Sequence, residues 1–400
     1  MLTELQKASF LIHEVFYWYY PRLPMGWNSN YTTYTISNSK LKWSLWICCL
    51  FCTTFVGLAN FYVIGTHFLL TPRKTLRFTH IVIFSSGGCG VLTTCILASM
   101  VMIRRRLEAN MAFNGVFQLR FQMTKDIRPE AIGKDGNYIG NADRHDLIGY
   151  GMCLLSFCLS STPFLIVLIV VFEGFDVVTF IAHDILPPAE HWDIKILLSL
   201  HLIRFLVVGV SILECVRCLN VFVLIACLEL VNFQDIFIFL TKFMTDTPQF
   251  ILNYLRLVSC YKCLETIVSD MCLVIVSVAF WGTVLGICVI VNLYEKLEFF
   301  FYIGATGAVF LTILGTGFVI RLIKGCLVMI TEMLETRVKM AKVRYIRTKT
   351  IRSKAVLKRT LALTPMVLWY GTFMPVTVEF VIAYVDNLVE RVIDFLLMSR

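Results

Sequence analysis

Four carboxylates recur along the last apolar stretch of the chain, which begins at Pro375. Glu379, Asp386, Glu390 and Asp394 follow one another at intervals of seven, four and four residues. Because residues four and seven apart share one side of an α-helix, this spacing puts all four carboxylates on one face of a predicted helix. Acidic groups arranged in this way attract cations and repel anions, which is the chemistry of a cation pathway.

Two interpretations of this acidic face are open. A carboxylate in lipid costs about 2.5 to 3.5 kcal/mol on insertion scales, so the face is expected to avoid lipid. In the first interpretation the four carboxylates and Asn387 line a water-filled pore, with Glu379 the deepest. In the second, the hydrophobic span is Leu361 to Val385, and the stretch VDNLVERVIDFLL lies as an amphipathic helix at the outer surface.

The composition assigns this helix to a membrane protein. Hydrophobic residues make up 58% of the chain and charged residues 16%, whereas charged residues are about a quarter of a soluble domain. We find seven stretches that are long and apolar enough to cross the hydrocarbon. They are Trp43 to Leu70, Phe78 to Ile103, Leu147 to Phe172, Ile196 to Leu228, Met271 to Leu293, Phe299 to Ile320, and one between Leu361 and Met398.

Two of the predicted spans are longer than a bilayer requires. The fourth continues to Leu230 without a proline and would be about 50 Å long as a helix. Glu214 and Arg217 within it are three residues apart and can pair. Beyond the sixth span, an apolar stripe at helical spacing continues through Leu327, Ile330, Leu334 and Val338. We expect the two short apolar pieces in 229–270, interpreted as amphipathic cytosolic helices, to cover this stripe.

The distribution of Lys and Arg sets the orientation, because basic loops stay on the cytoplasmic side. The N-terminal segment and the segments 104–146, 229–270 and 321–360 together carry 27 Lys and Arg, and the opposite face carries seven. The N-terminus is therefore predicted to be cytosolic and the C-terminus extracellular, opposite to a G-protein-coupled receptor. A glycosylation acceptor, Asn30-Tyr31-Thr32, points the other way.

The predicted fold class is all-α: a polytopic membrane protein with seven transmembrane helices and cytosolic extensions of helices 4 to 7. We divide the chain into a cytosolic N-terminal segment (1–42), transmembrane helices 1–6 (43–320), a basic cytosolic helical linker (321–360) and the C-terminal helix 7, the candidate pore helix (361–400). The lipid bilayer is the first partner that this organisation implies, and the basic linker can also bind anionic lipid.

Other classes of function are disfavoured by the sequence. The net charge of +9 comes from short basic clusters between apolar spans, so no nucleic-acid partner is expected. The pairs Cys215/Cys218 and Cys260/Cys263 have the spacing of half a zinc site, but no histidines accompany them, and neither metal nor cofactor is expected. We find no nucleophile with a paired base, which argues against an enzyme. A secondary transporter remains the alternative, although no inverted repeat is evident.

The C-terminal stretch LTPMVLWYGTFMPVTVEFVIAYVDNLVERVIDFLL resembles the gustatory and odorant receptor superfamily of arthropods. The gustatory signature is Thr-Tyr, five mostly apolar residues, then Gln-Phe. Thr372-Phe373 and Glu379-Phe380 match that spacing with two substitutions, and Pro375 interrupts the apolar five. The odorant-branch Ser-Tyr-Ser is absent, so a divergent gustatory-receptor-like member fits better.

This resemblance implies a chemosensory receptor subunit in the plasma membrane. Members of the superfamily are ligand-gated, non-selective cation channels, in which four like or related subunits surround a pore lined by the seventh helix. The resemblance also implies a small organic ligand in the outer half of the bundle. Candidate contacts there are Phe84, Phe164, His201, Phe205 and Tyr302, each of which simple packing would also explain. His201 and the nearby Arg204 either pair with the acidic loop before them or orient a polar ligand.

Overall fold

The structure, a computed structural model, describes residues 3–27, 33–69, 76, 78–127, 146–172, 176–185, 193–242, 247–292, 299–367, 369–370 and 374–398. The tripeptide 30–32 and the signature pair Thr372-Phe373 lie outside these residues. The described part is almost wholly helical. Its helices are Glu4–Phe16 (α1), Lys40–Leu69 (α2), Phe78–Ser99 (α3), Arg106–Ile127 (α4), Leu147–Phe172 (α5), Val177–Ile185 (α6), Ile194–Lys242 (α7), Thr247–Asn292 (α8), Phe299–Thr348 (α9), Ile351–Leu361 (α10) and Val378–Met398 (α11), and its short antiparallel hairpins pair Met25–Trp27 (β1) with Tyr34–Ile36 (β2) and Trp369–Tyr370 (β3) with Met374–Pro375 (β4).

The N-terminal segment packs against the bundle through α1, a helix that was not predicted from the sequence. Thr3 and Gln6 form a reciprocal cap in which each side chain accepts a hydrogen bond from the other residue's backbone N–H. His13 lies 3.3 Å from the amide nitrogen of Asn220 on α7. Burial, and to a smaller extent the charge of Arg217, lowers the pKa of His13 to about 3. The ring is therefore neutral near pH 7, as a buried acceptor should be.

A buried ion pair on α7 holds the chain that follows α1. Glu214 and Arg217 are each 1% exposed and pair at 2.5 Å, which confirms the expectation from their spacing. The indole N–H of Trp46 donates to the same carboxylate at 2.8 Å. Arg217 also donates to the carbonyl of Pro21, and its guanidinium lies 4.5 Å from the ring centre of Tyr20. One cation thus connects α7 with the segment before β1.

Three helices are longer than any bilayer is thick. α7, α8 and α9 contain 49, 46 and 50 residues. At 1.5 Å per residue they are about 70 to 75 Å long, more than twice the roughly 30 Å of hydrocarbon. Extensions were predicted for helices 4 to 7, and α7, α8 and α9, which contain the fourth, fifth and sixth spans, are all longer than a span requires.

The segment 229–270 does not form separate amphipathic helices, as we had interpreted it. It consists of the facing ends of α7 and α8, on either side of residues 243–246. α7 continues because its polar residues find partners on α4, whose Arg120 donates to Asn232 at 2.8 Å and pairs with Asp235 at 2.5 Å. A partner from a distant helix therefore makes a polar stretch compatible with a buried helix. Part of the basic segment 104–146 is helical, because α4 occupies Arg106–Ile127. A π-helical turn at Met100–Arg104 joins α3 to α4.

The largest hydrophobic core lies where α4 meets the ends of α7, α8 and α9. The stripe expected on α9 contributes Ile330 and Leu334, which are 2% and 8% exposed. They belong to the same buried cluster as Phe237 of α7 and Tyr254 of α8. The stripe is thus covered by the segments that the sequence indicated.

The C-terminal region is not one helix from Leu361, and the span Leu361 to Val385 does not exist as a continuous helix. α10 ends at Leu361, an extended strap over 363–367 and the β3–β4 hairpin follow, and α11 begins only at Val378. Pro365 and Pro375 explain the interruption, since each lacks a backbone N–H and disfavours helix in the residue before it. The hydroxyls of two tyrosines on α8 fix the strap, each donating to a strap carbonyl at 2.6 Å: Tyr254 to Thr364 and Tyr261 to Val367.

Six helices of the described chain are long and apolar enough to cross a membrane, namely those at α2, α3, α5, α7, α8 and α9. α11 has 21 residues and a length of about 31 Å, which would suffice. Its carboxylates and Arg391 make α11 too charged to be identified as a membrane span from its composition. The protein is a polytopic helical membrane protein, and the count of seven rests on the role of α11.

Candidate functional site

α11 begins with a hydroxyl cap. The backbone N–H of Phe380 donates to Thr377 Oγ1 at 3.4 Å, which makes Thr377 the residue that caps the first turn. Glu379 is consequently the second helical residue, where the partial positive charge of the helix N-terminus favours a carboxylate. Glu379 lies in the first turn of α11, because the helix starts after Pro375. That Glu379 is the deepest of the acidic residues in the membrane stays a prediction.

One face of α11 packs on its own subunit. Phe380 and Tyr384 are half-buried against a cluster that includes the fully buried Val376. The ring of Tyr384 meets Phe280 of α8 edge-on, with the ring centres 5.5 Å apart. These contacts set the rotation of α11 about its axis, and with it the direction of its other faces.

The acidic face of α11 is exposed. Glu379, Asp386, Asn387 and Glu390 are all exposed side chains, so no described part of the chain covers them. The Asn387 amide donates to the carbonyl of Ala383 one turn earlier, at 2.6 Å. The predicted acidic row is therefore present as one continuous surface along about 16 Å of helix.

Asp394 differs from the other carboxylates. Its Oδ2 lies 3.2 Å from Nη1 of Arg391, three residues earlier on the same helix. The charge of Arg391 offsets that of Asp394 locally, so the uncompensated part of the row ends at Glu390.

A third face of α11 is apolar and also exposed. Ile382, Val385, Val389 and Ile393 are each about half exposed, from 49% to 57%. Four large aliphatic side chains in a row beside an acidic row require cover from lipid or from another chain. α11 thus has three faces: one packed on its own bundle, one acidic and one apolar without cover from its own chain.

The predicted ligand contacts fall in different surroundings. Phe84 is 2% exposed and meets the Phe180 ring of α6 edge-on at 5.4 Å, within a cluster of α2, α3 and α6 side chains. Phe164 on α5 and Phe205 on α7 are 38% and 48% exposed. Tyr302 is half-buried near the start of α9. Phe84 packs against Phe180, and the ligand role of all five residues remains a prediction.

His201 and Arg204 belong to a charge network at the other end of α7 from the large core. Arg204 pairs with Asp176 at 2.7 Å, and both side chains are buried. Arg204 also lies 3.0 Å from His201 Nδ1 and donates to the carbonyl of Val171 at 2.5 Å. Of the two roles considered for this arginine, the pairing with the preceding acidic segment is the one observed. That segment also contains α6, where an irregular loop had been expected.

A cavity that the sequence did not predict lies between α4, α7, α8 and α9. Its volume is about 90 Å³, its surface is almost wholly apolar, and Glu229 on α7 is the charged residue among those that line it. The signal was present in the sequence as a single acidic residue within the apolar run CLELVNF. Nothing local distinguishes that residue from a solvated one, because the cavity is formed by four helices.

Comparison with known proteins identifies the fold. No protein-family model matches the sequence, and no curated protein matches it significantly. The solved structure of the insect olfactory receptor OR5 from Machilis hrabei matches with a TM-score of 0.59 and 12% identity, over 98% of this chain and 97% of that one. The structure of the same receptor in complex with eugenol matches with the same values. The chain therefore has the fold of that receptor over essentially its whole length, and the helical membrane fold that the C-terminal resemblance implied is confirmed.

Proposed function

We propose that this chain, which has the fold of an insect olfactory receptor, is a chemosensory receptor subunit that forms a ligand-gated, non-selective cation channel. It acts in the plasma membrane as a tetramer of identical or related subunits. A small organic molecule in the outer half of the bundle opens it. The observation that carries this proposal is the three-faced geometry of α11.

A symmetric assembly accounts for all three faces together. With four copies of α11 around an axis, the acidic faces point to the centre and the apolar row Ile382, Val385, Val389 and Ile393 meets the neighbouring subunit. The Phe380 face stays on its own bundle. Rings of carboxylates at Asp386 and Glu390 then raise the local cation concentration in a watery pathway. An α11 at the outer interface would leave its apolar row to lipid and would give its acidic row no function.

The ends of α9 and α10 favour assembly as well. Val343, Ile346 and Ile351 are 58%, 68% and 90% exposed, although they lie among many basic residues. Exposed aliphatic residues where the long helix α9 meets α10 suit a contact between subunits beyond the membrane. The same region was considered as a lipid-binding surface, and both contacts are compatible.

The proposal includes an orientation, which tags at both ends would test. In intact cells a C-terminal epitope tag is expected to be accessible to antibody, and an N-terminal tag only after permeabilisation. A tag inserted after Lys349, an exposed residue between α9 and α10, serves as the matched cytosolic control. Antibody reaching the N-terminal tag in intact cells would contradict the orientation.

Recording from cells that express the chain, alone and with related subunits, tests the channel itself. Application of small organic compounds, eugenol among them, is expected to evoke unitary current steps that reverse near 0 mV with mixed monovalent cations. A non-selective pathway has that reversal because no single ion sets the potential. Slow, saturable uptake of ligand without unitary steps would support a secondary transporter instead.

A further inference from the structure

The cavity between α4, α7, α8 and α9 is not used by the proposed channel mechanism. Met366 of the strap that leads to α11 contributes to its lining. Glu229, another of its lining residues, follows Arg204 by 25 residues on α7, which is about 38 Å along the helix. The cavity is therefore remote from His201 and Phe205, two of the predicted outer-half ligand contacts.

The cavity surface is almost wholly apolar. Phe113, Met271 and Ile330 come from three of the helices that form it, and they are only 2% to 3% exposed. The carboxyl oxygens of Glu229 do not contribute to this surface, since they are buried with the amide of Asn232 beside them. The one charged residue of the lining thus offers nothing to a molecule inside the cavity.

The other polar side chains of the lining direct their hydrogen bonds elsewhere. The Tyr261 hydroxyl donates to the strap carbonyl of Val367 at 2.6 Å. The Cys326 thiol donates to the carbonyl of Leu230 at 3.3 Å. A molecule in the cavity therefore meets hydrocarbon and sulfur on every side that the structure describes.

Such a space favours an apolar occupant over water. Its volume of about 90 Å³ is several times what one water molecule needs, but a buried water also needs two to four polar partners. An empty space costs the surrounding side chains their dispersion contacts. An engineered cavity of about 150 Å³ with a comparable lining stays dry and binds benzene or xenon, so this smaller one suits a body of roughly four carbons.

The position of the cavity connects it to the acidic helix. Met366 and the ring of Tyr261 place the strap at its edge. Ile323 of α9 also lines it and belongs to the same buried cluster as Val376, which lies just before α11, and Phe380 packs against that cluster. A molecule in the cavity would touch side chains that hold both the strap and the start of α11.

We propose that this cavity is a binding site for small apolar molecules of up to about four carbons, such as short alkanes, which pack against the strap before α11. The site is separate from the outer-half ligand pocket of the proposed function. It does not depend on whether the chain conducts ions.

Xenon is the probe for the test, because it is apolar, fits a cavity of this size and scatters anomalously. In crystals of the purified full-length chain under xenon pressure, we expect an anomalous peak in this cavity. Ala226→Leu enlarges a residue of the lining and should lower that peak at least about tenfold, because the added carbons fill the space. Ala355→Leu makes the same change at an exposed position on α10 and should leave the peak unchanged.

A measurement in solution tests the size limit. Ile330→Ala enlarges the cavity toward the volume that holds benzene. Saturating benzene should therefore raise the melting temperature of this variant relative to that of the parent chain in the same lipid, because a ligand that binds only the folded state stabilises it.

Three results would overturn the proposal. They are a parent cavity without xenon, equal xenon peaks in the parent chain and Ala226→Leu, and ordered water or a lipid chain filling the cavity in the absence of xenon. Because binding is read without current, a chain that binds xenon but does not conduct would refute only the channel.

Discussion

Replacing Arg217 with alanine is expected to destabilise the protein by about 3 to 5 kcal/mol. The substitution leaves the Glu214 carboxylate buried with only neutral donors, since the Trp46 indole and the Cys218 thiol are its remaining described hydrogen bonds. It also removes the hydrogen bond to Pro21 and the contact with the Tyr20 ring. Thermal unfolding of the purified protein measures the loss. Faster tryptic cleavage after the exposed Arg22 would report release of the N-terminal segment.

Two further variants separate the buried charge from a general effect of mutation. Lys339→Ala breaks an exposed pair with Glu335 at 3.9 Å and should cost no more than about 0.5 kcal/mol. The double variant Glu214→Gln with Arg217→Met keeps an acceptor for Trp46 and removes both charges, so it should recover most of the stability. If Arg217→Ala and Lys339→Ala unfold at the same temperature, the ion pair between Glu214 and Arg217 does not hold the N-terminal segment.

Neutralising the acidic face of α11 is expected to have the largest effect on conduction. In the triple variant Glu379→Gln, Asp386→Asn and Glu390→Gln, unitary cation conductance should fall about twofold to tenfold in dilute salt, because fewer cations concentrate at the pathway. The difference should narrow at about 1 M salt, where the screening length falls to about 3 Å. Single-channel recording at two salt concentrations measures both effects.

The single substitutions should rank by position. Asp386→Asn and Glu390→Gln are expected to contribute most, and Asp394→Asn least, because Arg391 already compensates Asp394. Glu332→Gln is the matched control, since it removes one exposed acid from another helix, α9. Unchanged conductance and selectivity in the triple variant would show that the acidic face lies at the membrane surface and does not line the pore.

Much of the helical organisation could be predicted from hydropathy alone. α5 begins and ends at the predicted residues, because its apolar run is bounded on both sides by polar residues. The acidic row of α11 could be predicted because it depends only on helical spacing. The predicted start of the last helix was wrong because residues 361–377 are mostly apolar and suggested a continuous helix, although Pro365 and Pro375 interrupt it.

Features that depend on distant residues could not be predicted. α7 runs through Asn232 and Asp235 only because Arg120 of α4 meets them, and no local pattern announces that partner. α1 was missed because its 13 residues are too few to cross a membrane and its buried face includes the polar residues Gln6, Ser9 and His13, so it does not stand out as an apolar stretch. Arg204 could be assigned only when its partner Asp176 was seen beside it.

The strap between α10 and α11 has a mechanical consequence. Tyr254 and Tyr261 stand two turns apart on α8, whereas their acceptor carbonyls on Thr364 and Val367 are three residues apart along the chain. The strap therefore runs nearly straight along α8 with little slack. A movement of the acidic helix that pulled the strap along α8 would have to break these two hydrogen bonds, whereas a tilt of α11 alone would leave both intact. The tilt of α11 is therefore less costly than a shift that moves the strap along α8.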